Sequence, residues 1–201
     1  MLKIGLTGSI AVGKSFVAQV LAELGAIVLD SDQTAREVVE PETEGWRKIV
    51  ETFGTSILNS DQTLNRAKLG AEVFAGEEKR KLLNAIVHPL IFSTQEKWMA
   101  EIEKTNSKAI VVIDAALMIE TGSYRRFDKI IVVWCKPEVQ LERLMTRNNL
   151  NLEDARQRIR SQMSQEEKKG YADYLIDSSN GFEDTRRQVE KVYQSLLNLV
   201  G

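Results

Sequence analysis

The chain has 201 residues, 43% of them hydrophobic and 28% charged, with 27 Lys and Arg against 29 Asp and Glu for a formal net charge of -2. This composition excludes a disordered, collagen-like or low-complexity chain. The length suits one domain with insertions, and the balanced charge leaves no domain-wide basic field for a nucleic-acid duplex. No nucleic-acid partner is expected, and any anion site must be local. One cysteine, Cys135, and one histidine, His88, exclude an intrachain disulfide and a zinc cluster of the usual spacing. The N-terminus leaves no room for a signal core before its first glycine-rich stretch, and no apolar run approaches the roughly 20 residues that span a bilayer. The expectation is a cytoplasmic protein with no membrane partner.

Leu2 to Thr7 is a short apolar run ending in glycine, and Val17, Val20, Leu21 and Leu24 then follow at helical spacing until Gly25. Further apolar runs, Ala26 to Leu29, Ala109 to Ile113, Ile130 to Trp134 and Tyr174 to Ile176, end at Asp30, Asp114, Cys135 and Asp177. They are continuous rather than alternating and are separated by helical patterns, which marks buried parallel strands. The fold expected is α/β, an open parallel five-stranded sheet flanked by helices. Between the second and third strands lies a helical insertion, about residues 32–106. Leu82, Leu83, Ile86, Val87, Leu90 and Ile91 form its stripe, with a bend or break expected near Pro89. A second, highly charged insertion follows the fourth strand, about 139–170, with Pro137 placed to start its helix, and could be a moving cover. The core is then about 1–31, 107–138 and 171–201. Val189, Val192, Tyr193, Leu196, Leu197 and Val200 put one face of the last helix against the sheet.

Gly8, Ser9, Ile10, Ala11, Val12, Gly13, Lys14 and Ser15 satisfy the phosphate-loop pattern G-x-x-x-x-G-K-[ST], after a strand and opening a helix. Glycines let successive backbone N–H groups turn toward phosphate oxygens, and the helix N-terminus adds partial positive charge. Lys14 would reach the β- and γ-phosphates and the Ser15 hydroxyl a Mg²⁺ ion. The fold is therefore of the P-loop NTPase type. No N-K-x-D guanine signature occurs, so the second site must decide between kinase, GTPase and motor.

Asp30, Ser31 and Asp32 end the second strand, where ligands bind in doubly wound sheets. Asp32 can accept the proton of an attacking alcohol, or Ser31 and Asp32 can simply cap a helix. Arg143 and Arg147 are four apart, so both project from one helix face, either onto a triphosphate or into solvent. Arg156 and Arg160 repeat that spacing and read as surface. Asp114 resembles the strand-end aspartate that contacts Mg²⁺ through water in many P-loop proteins, although Ala115, Ala116 and Leu117 after it are apolar. His88 by itself reads as a structural histidine, Cys135 as buried and inert, and the three tryptophans as packing residues.

These residues together resemble the dephospho-CoA kinase family. The likeness runs through IGLTGSIAVGKS, LGAIVLDSDQTAREVVEP, LNRAKLGAEVF, His88-Pro89-Leu90, ALMIETG, ERLMTR and RIRSQMSQEEKKGYADYLID. It implies ATP-dependent phosphorylation of the ribose 3′-hydroxyl of dephospho-CoA, the last step of coenzyme A synthesis, with ATP and dephospho-CoA as small-molecule partners and Mg²⁺ as cofactor. By resemblance Asp32 is the general base, and Lys14 with Arg143 or Arg147 stabilises the transferring phosphate. Gly8, Ala11, Val12, Gly13, Lys14, Ser15 and Phe16 hold the nucleotide, Ser15 and Asp114 the metal, and Asp32, His88 and Leu117 the acceptor. Core, substrate-binding insertion and lid are implied, in a monomer or weak oligomer. The chain departs from the family pattern at Ala11, Val12, Phe16, Ala116 and Ser178-Ser179, but keeps both loop glycines and the lysine. Two alternatives remain: another P-loop nucleoside or small-molecule kinase, and a nucleotide-binding regulatory protein without transfer activity.

Overall fold

A computed structural model describes residues 1–74 and 76–200; residue 201, the last of the expected core, lies outside them. The chain begins with β1 (Leu2–Gly8), whose even-numbered Ile4 and Leu6 are fully buried, and α1 (Lys14–Glu23), which presents Val17, Val20 and Leu21 to the same core. There follow β2 (Ile27–Asp30), α2 (Ser31–Glu37), α3 (Glu44–Phe53), a 3-10 turn at Thr55–Ile57, α4 (Arg66–Phe74) and α5 (Glu77–Thr105). The rest is β3 (Ile110–Asp114), a 3-10 turn at Ser123–Arg126, β4 (Lys129–Trp134), α6 (Pro137–Asn148), α7 (Leu152–Arg160), α8 (Gln165–Lys169), β5 (Tyr174–Asp177) and α9 (Phe182–Val200).

The five strands pair in parallel in the order β2-β3-β1-β4-β5. Strand β1 is central, and β3 is buried along its whole length, as the continuous apolar runs require. One sheet face packs on α1 and α9 through Leu21, Val112, Ile131, Val133, Val189 and Leu196. The other gathers Met118, Ile119, Ile130 and Val132, with Met163 and Ala172 beside them. Helix starts follow local chemistry. Thr43 accepts from Trp46 N at 3.2 Å before α3, Pro137 occupies the first turn of α6, and Ser164 with Glu167 forms a reciprocal capping box on α8.

The chain divides into two compact units, Met1–Asp30 with the residues from Ile102 onward, and Ser31–Glu101. The second is helical, with its own core of Ile49, Ile57 and Leu69 against Val39, Phe53, Leu64, Leu83, Ile86 and Val87. Among the described residues its only β pairing is an isolated Leu58–Leu64 bridge.

Several expectations are corrected. Of the bend or break expected near Pro89, the break does not occur: helix α5 runs unbroken through it. Proline there removes one hydrogen bond, a cost of about 3 kcal/mol, but packing on both sides, by the partly buried Ile86 and Val87 before it and the buried Gln95 and Met99 after it, holds one continuous helix. Leu82 is 51% exposed and drops out of the apolar stripe, while Leu83, Ile86, Val87, Leu90 and Ile91 are partly buried. Leu197 is likewise exposed on α9 while Val192, Tyr193 and Leu196 face the sheet. Strand ends shift by one residue, with β2 including Asp30 and β4 starting at Lys129. Among the described residues no helix is long and apolar enough to cross a membrane.

Candidate active site

The loop between β1 and α1 is shaped by two glycines. A Cβ on Gly8 would stand 2.6 Å from the Val133 carbonyl oxygen and 2.8 Å from Val12 Cγ2, so only glycine lets the loop close over β4. Gly13, at the N-terminus of α1, has φ +82°, and no acidic residue stands in the first turn of that helix. The helix end therefore offers its positive pole without competition from its own carboxylates. Ala11 also takes a left-handed φ, 62°, which L-alanine adopts at a cost of about 1–2 kcal/mol. Val12 is 1% exposed and packs into the core with Val17 and Val133, so its side chain faces away from the solvent side of the loop.

The loop backbone is held from outside by side chains of the segment after β4. Ile10 N donates to Gln162 Oε1 and Ile10 O accepts from Gln140 Nε2, each at 2.8 Å. Gln165 Nε2 donates to Gln140 Oε1 at 2.9 Å, while Gln165 Oε1 accepts from Cys135 N at 2.9 Å. Ser178 Oγ donates to Val12 O at 2.6 Å. The N–H and the C=O of Ile10 are thus both satisfied by glutamines, which fixes the loop.

Lys14 forms an ion pair with Asp114 at the end of β3, both side chains largely buried. Asp30 sits in register with Asp114 on the neighbouring strand. Ser15, the next residue after Lys14, is exposed. Oxygen donors therefore stand beside the loop at the carboxyl end of the sheet, as Mg²⁺ prefers.

Next to the loop opens a cavity of about 600 Å³, lined by Ala11, Gly13, Phe16, Arg143, Arg147 and Phe182 among others. Phe16 and Phe182 form one wall, their ring centroids 4.8 Å apart and the rings tilted by 57°. A largely apolar cleft with a few fixed polar groups suits a planar heterocycle. The two arginines differ in placement. Arg143 is half-buried and donates from Nη1 to Ser178 Oγ at 2.9 Å and from Nη2 to Ser178 O at 2.8 Å, close beside Gly13. Arg147 is exposed, and its Nε donates to Asn148 Oδ1.

Some residues here were missed in the sequence, and Ser178 was noted only as a departure from the family pattern. Ser178, Phe182 and Thr185 enter the cavity from the turn after β5 and the start of α9, and only the parallel pairing of β5 with β4 brings them beside the loop. Lys168 was missed as well. Its fully buried ammonium donates to Ala116 O at 2.7 Å and pairs with Glu120 Oε1 at 2.8 Å, joining α8 to the turn after β3. Nothing in a charged Q-E-E-K-K run distinguishes one lysine as buried. Leu117, in that turn, is half-exposed.

Asp32 and His88 lie in the helical unit. Helix α2 starts at Ser31, so Asp32 is in its first turn, exposed, where a carboxylate is favoured by the helix dipole. Ser31 Oγ accepts from the buried Gln95 Nε2 at 2.7 Å, which pins the start of α2 to α5. His88 packs against Phe92 with ring centroids 6.0 Å apart, and burial lowers its pKa, favouring the neutral ring. Cys135 is buried, and burial pushes its thiol pKa up despite the nearby Arg143. Its alkylation by iodoacetamide at pH 8 is therefore expected to be at least about 10-fold slower in the native chain than in guanidinium; equal rates would contradict a buried, protonated thiol.

The family model described as "CoaE: Dephospho-CoA kinase" matches residues 2–184. A dephospho-CoA kinase of Bacillus licheniformis is 45% identical over 198 residues, covering 98% of both chains. One from Syntrophus aciditrophicus is 43% identical over 197 residues, 98% of this chain and 84% of that protein. Among solved structures, a dephospho-CoA kinase from Campylobacter jejuni aligns with a TM-score of 0.74 at 30% identity, covering 98% of this chain and 97% of the other. A shikimate kinase from Acinetobacter baumannii, 21% identical with a TM-score of 0.50 over 99% of this chain and 94% of its own, shares the fold. With the phosphate loop, its lysine and the adjoining cavity in place, the chain belongs to the dephospho-CoA kinase family.

Proposed function

We propose that the chain moves the γ-phosphoryl group of ATP onto the ribose 3′-hydroxyl of dephospho-CoA, giving coenzyme A and ADP in the last step of that synthesis, in the cytoplasm. The observation that carries this reading is the glycine-flanked loop with Lys14, beside a largely apolar cavity of about 600 Å³, in a chain of this family. The loop amides and the α1 N-terminus hold the phosphates, and the 600 Å³ cavity takes the adenine between Phe16 and the turn after β5.

In the transfer, the 3′-oxygen forms a bond to the γ-phosphorus while the bond from that phosphorus to the β–γ bridging oxygen breaks. The hydroxyl proton passes to the Asp32 carboxylate. Lys14 leaves Asp114 to neutralise charge on the β- and γ-oxygens, and Arg143, already fixed beside Gly13, does the same from the other side. Arg147 is better placed to contact the nucleotide at the cavity than the transferring group. Among the described residues no group of three His, Cys, Asp or Glu side chains would hold a metal unaided. Ser15 and Asp114 instead suit Mg²⁺, which would supply further charge neutralisation when bound.

His88 and Leu117 contact the acceptor in this reading. The lid is confined to the stretch around α7, because Gln140 and Leu144 anchor α6, while Gln162, Gln165 and Lys168 anchor the segment between α7 and β5. Closure of the α7 stretch would exclude water and limit wasteful ATP hydrolysis. The test is ATP consumption with and without dephospho-CoA. Stimulation by the acceptor, with CoA as product, is expected. ATP binding without stimulated turnover would overturn the reading in favour of a regulatory protein, and stimulation by another alcohol instead would reassign the acceptor.

A further inference from the structure

The phosphate loop alternates in backbone hand. Among residues 10–13, Ala11 and Gly13 have positive φ, 62° and 82°, and Ile10 and Val12 do not. Such alternation turns successive N–H groups into one concavity, where an anion can be held. A left-handed φ is unfavourable for the L-residue Ala11, so the alternation needs a hold from outside the loop. Two buried side chains supply it, each donating to a loop carbonyl: Gln140 Nε2 to Ile10 O at 2.8 Å and Ser178 Oγ to Val12 O at 2.6 Å. Among the described residues no peptide bond is cis. In a planar trans peptide the C=O of one residue and the N–H of the next point in opposite directions. Holding Ile10 O therefore aims the Ala11 N–H away from Gln140 and into the concavity, and holding Val12 O does the same for the Gly13 N–H against Ser178.

The direction of both donations is dictated by groups that can only donate. Cys135 N–H donates to Gln165 Oε1, so Gln165 turns its Nε2 to Gln140 Oε1, each at 2.9 Å, and Gln140 is left with its Nε2 toward Ile10. The Arg143 guanidinium donates to Ser178 Oγ at 2.9 Å, which leaves the hydroxyl proton for Val12 O. Ser178 N–H donates to Trp134 O at 2.9 Å and ties the serine to the end of β4. Gln140 is 2% and Ser178 3% exposed, so water does not compete for these bonds. We propose that Gln140 and Ser178 are positioning residues for phosphoryl transfer, acting through the loop backbone to aim the Ala11 and Gly13 amides at the phosphates of ATP. The assignment rests on the loop holding those phosphates, as in the function proposed above, and adds the two distant side chains that preorganise it.

Binding of ATP, inorganic triphosphate and dephospho-CoA to the full chain is measured by calorimetry, with the melting temperature alongside. Gln140→Glu keeps an acceptor for Gln165 but presents a carboxylate oxygen to Ile10 O, and Ser178→Ala removes the donor to Val12 O. Each is expected to weaken ATP and triphosphate by about 10-fold or more, the scale of one charge-assisted hydrogen bond, while dephospho-CoA affinity stays within about twofold of native. Ser178→Thr, which keeps the hydroxyl, should recover most of the loss. In the isotope-labelled native chain the amide protons of Ala11 and Gly13 should move downfield on adding triphosphate. The Ala11 response should be lost in Gln140→Glu and the Gly13 response in Ser178→Ala. Ser178→Ala also frees one Arg143 bond, which Gln140→Glu leaves in place, so the pair separates the two effects. Should the buried glutamate prevent folding, the Gly13 resonance in Ser178→Ala still decides. Native ATP and triphosphate affinity in both variants would overturn the assignment. Equal weakening of ATP and dephospho-CoA with a lowered melting temperature would also overturn it, because that is the mark of a structural role alone. A native chain that binds triphosphate but forms no CoA would instead overturn the functional reading and leave the positioning role standing.

Discussion

Replacing Asp32 with asparagine is expected to lower kcat by about 10² to 10⁴ while leaving the KM for ATP within about twofold of native. Asparagine keeps the shape and hydrogen-bonding reach of the side chain but cannot take a proton at neutral pH. The loss is therefore expected on the chemical step and not on nucleotide binding, which the proposed function assigns to the loop and the adjoining cavity through other residues. Asp32 is an exposed first-turn residue of α2, so folding should tolerate the change, and the melting temperature serves as the control. Unchanged turnover would remove Asp32 from the base role and leave it as a favourable first-turn charge.

Replacing Lys14 with alanine is expected to slow single-turnover phosphoryl transfer by at least about 10² to 10³, the scale seen when one preorganised charge partner of the transition state is removed. This substitution also has a structural consequence. Asp114 is largely buried and paired with Lys14, so the alanine variant leaves a desolvated carboxylate without its cation and should lower the melting temperature. Adding Asp114→Asn to Lys14→Ala should restore much of the lost stability but none of the lost transfer. Recovery of transfer in the double variant would mean that the lysine acts only through the buried pair, and native transfer in the single variant would exclude it from catalysis.

The two kinds of residue at this site differ in how they could be found. The phosphate loop is local: its chemistry needs glycines, a lysine and a hydroxyl at fixed spacing between one strand and one helix, so eight consecutive residues reveal it. Asp30 and Asp114 were also legible, because an acidic residue ending an apolar run marks the carboxyl end of a buried strand, and the register places the two side by side. The partition between Arg143 and Arg147 was not. Spacing puts both on one face, and only the turn after β5, with Ser178, draws Arg143 against the loop and leaves Arg147 exposed. Pro89 shows the reverse error, since a local rule for helix breaking was outweighed by burial along α5 on both sides of it.

By itself the sequence determined an α/β chain with five parallel strands, though not that the edge strands β2 and β5 are only partly buried, together with a phosphate loop at the end of the first and two charged or helical insertions. Those features arise from periodicity, apolar run length and contiguous motifs, which are properties of neighbours along the chain. Tertiary structure alone decided which distant groups share a surface: the glutamines that hold the Ile10 peptide, the buried Lys168 on Ala116 and Glu120, and the Phe16–Phe182 wall. The physical reason is that a polar or charged side chain looks alike in sequence whether water or a buried partner satisfies it. The strand order and helix packing determine which of the two it meets.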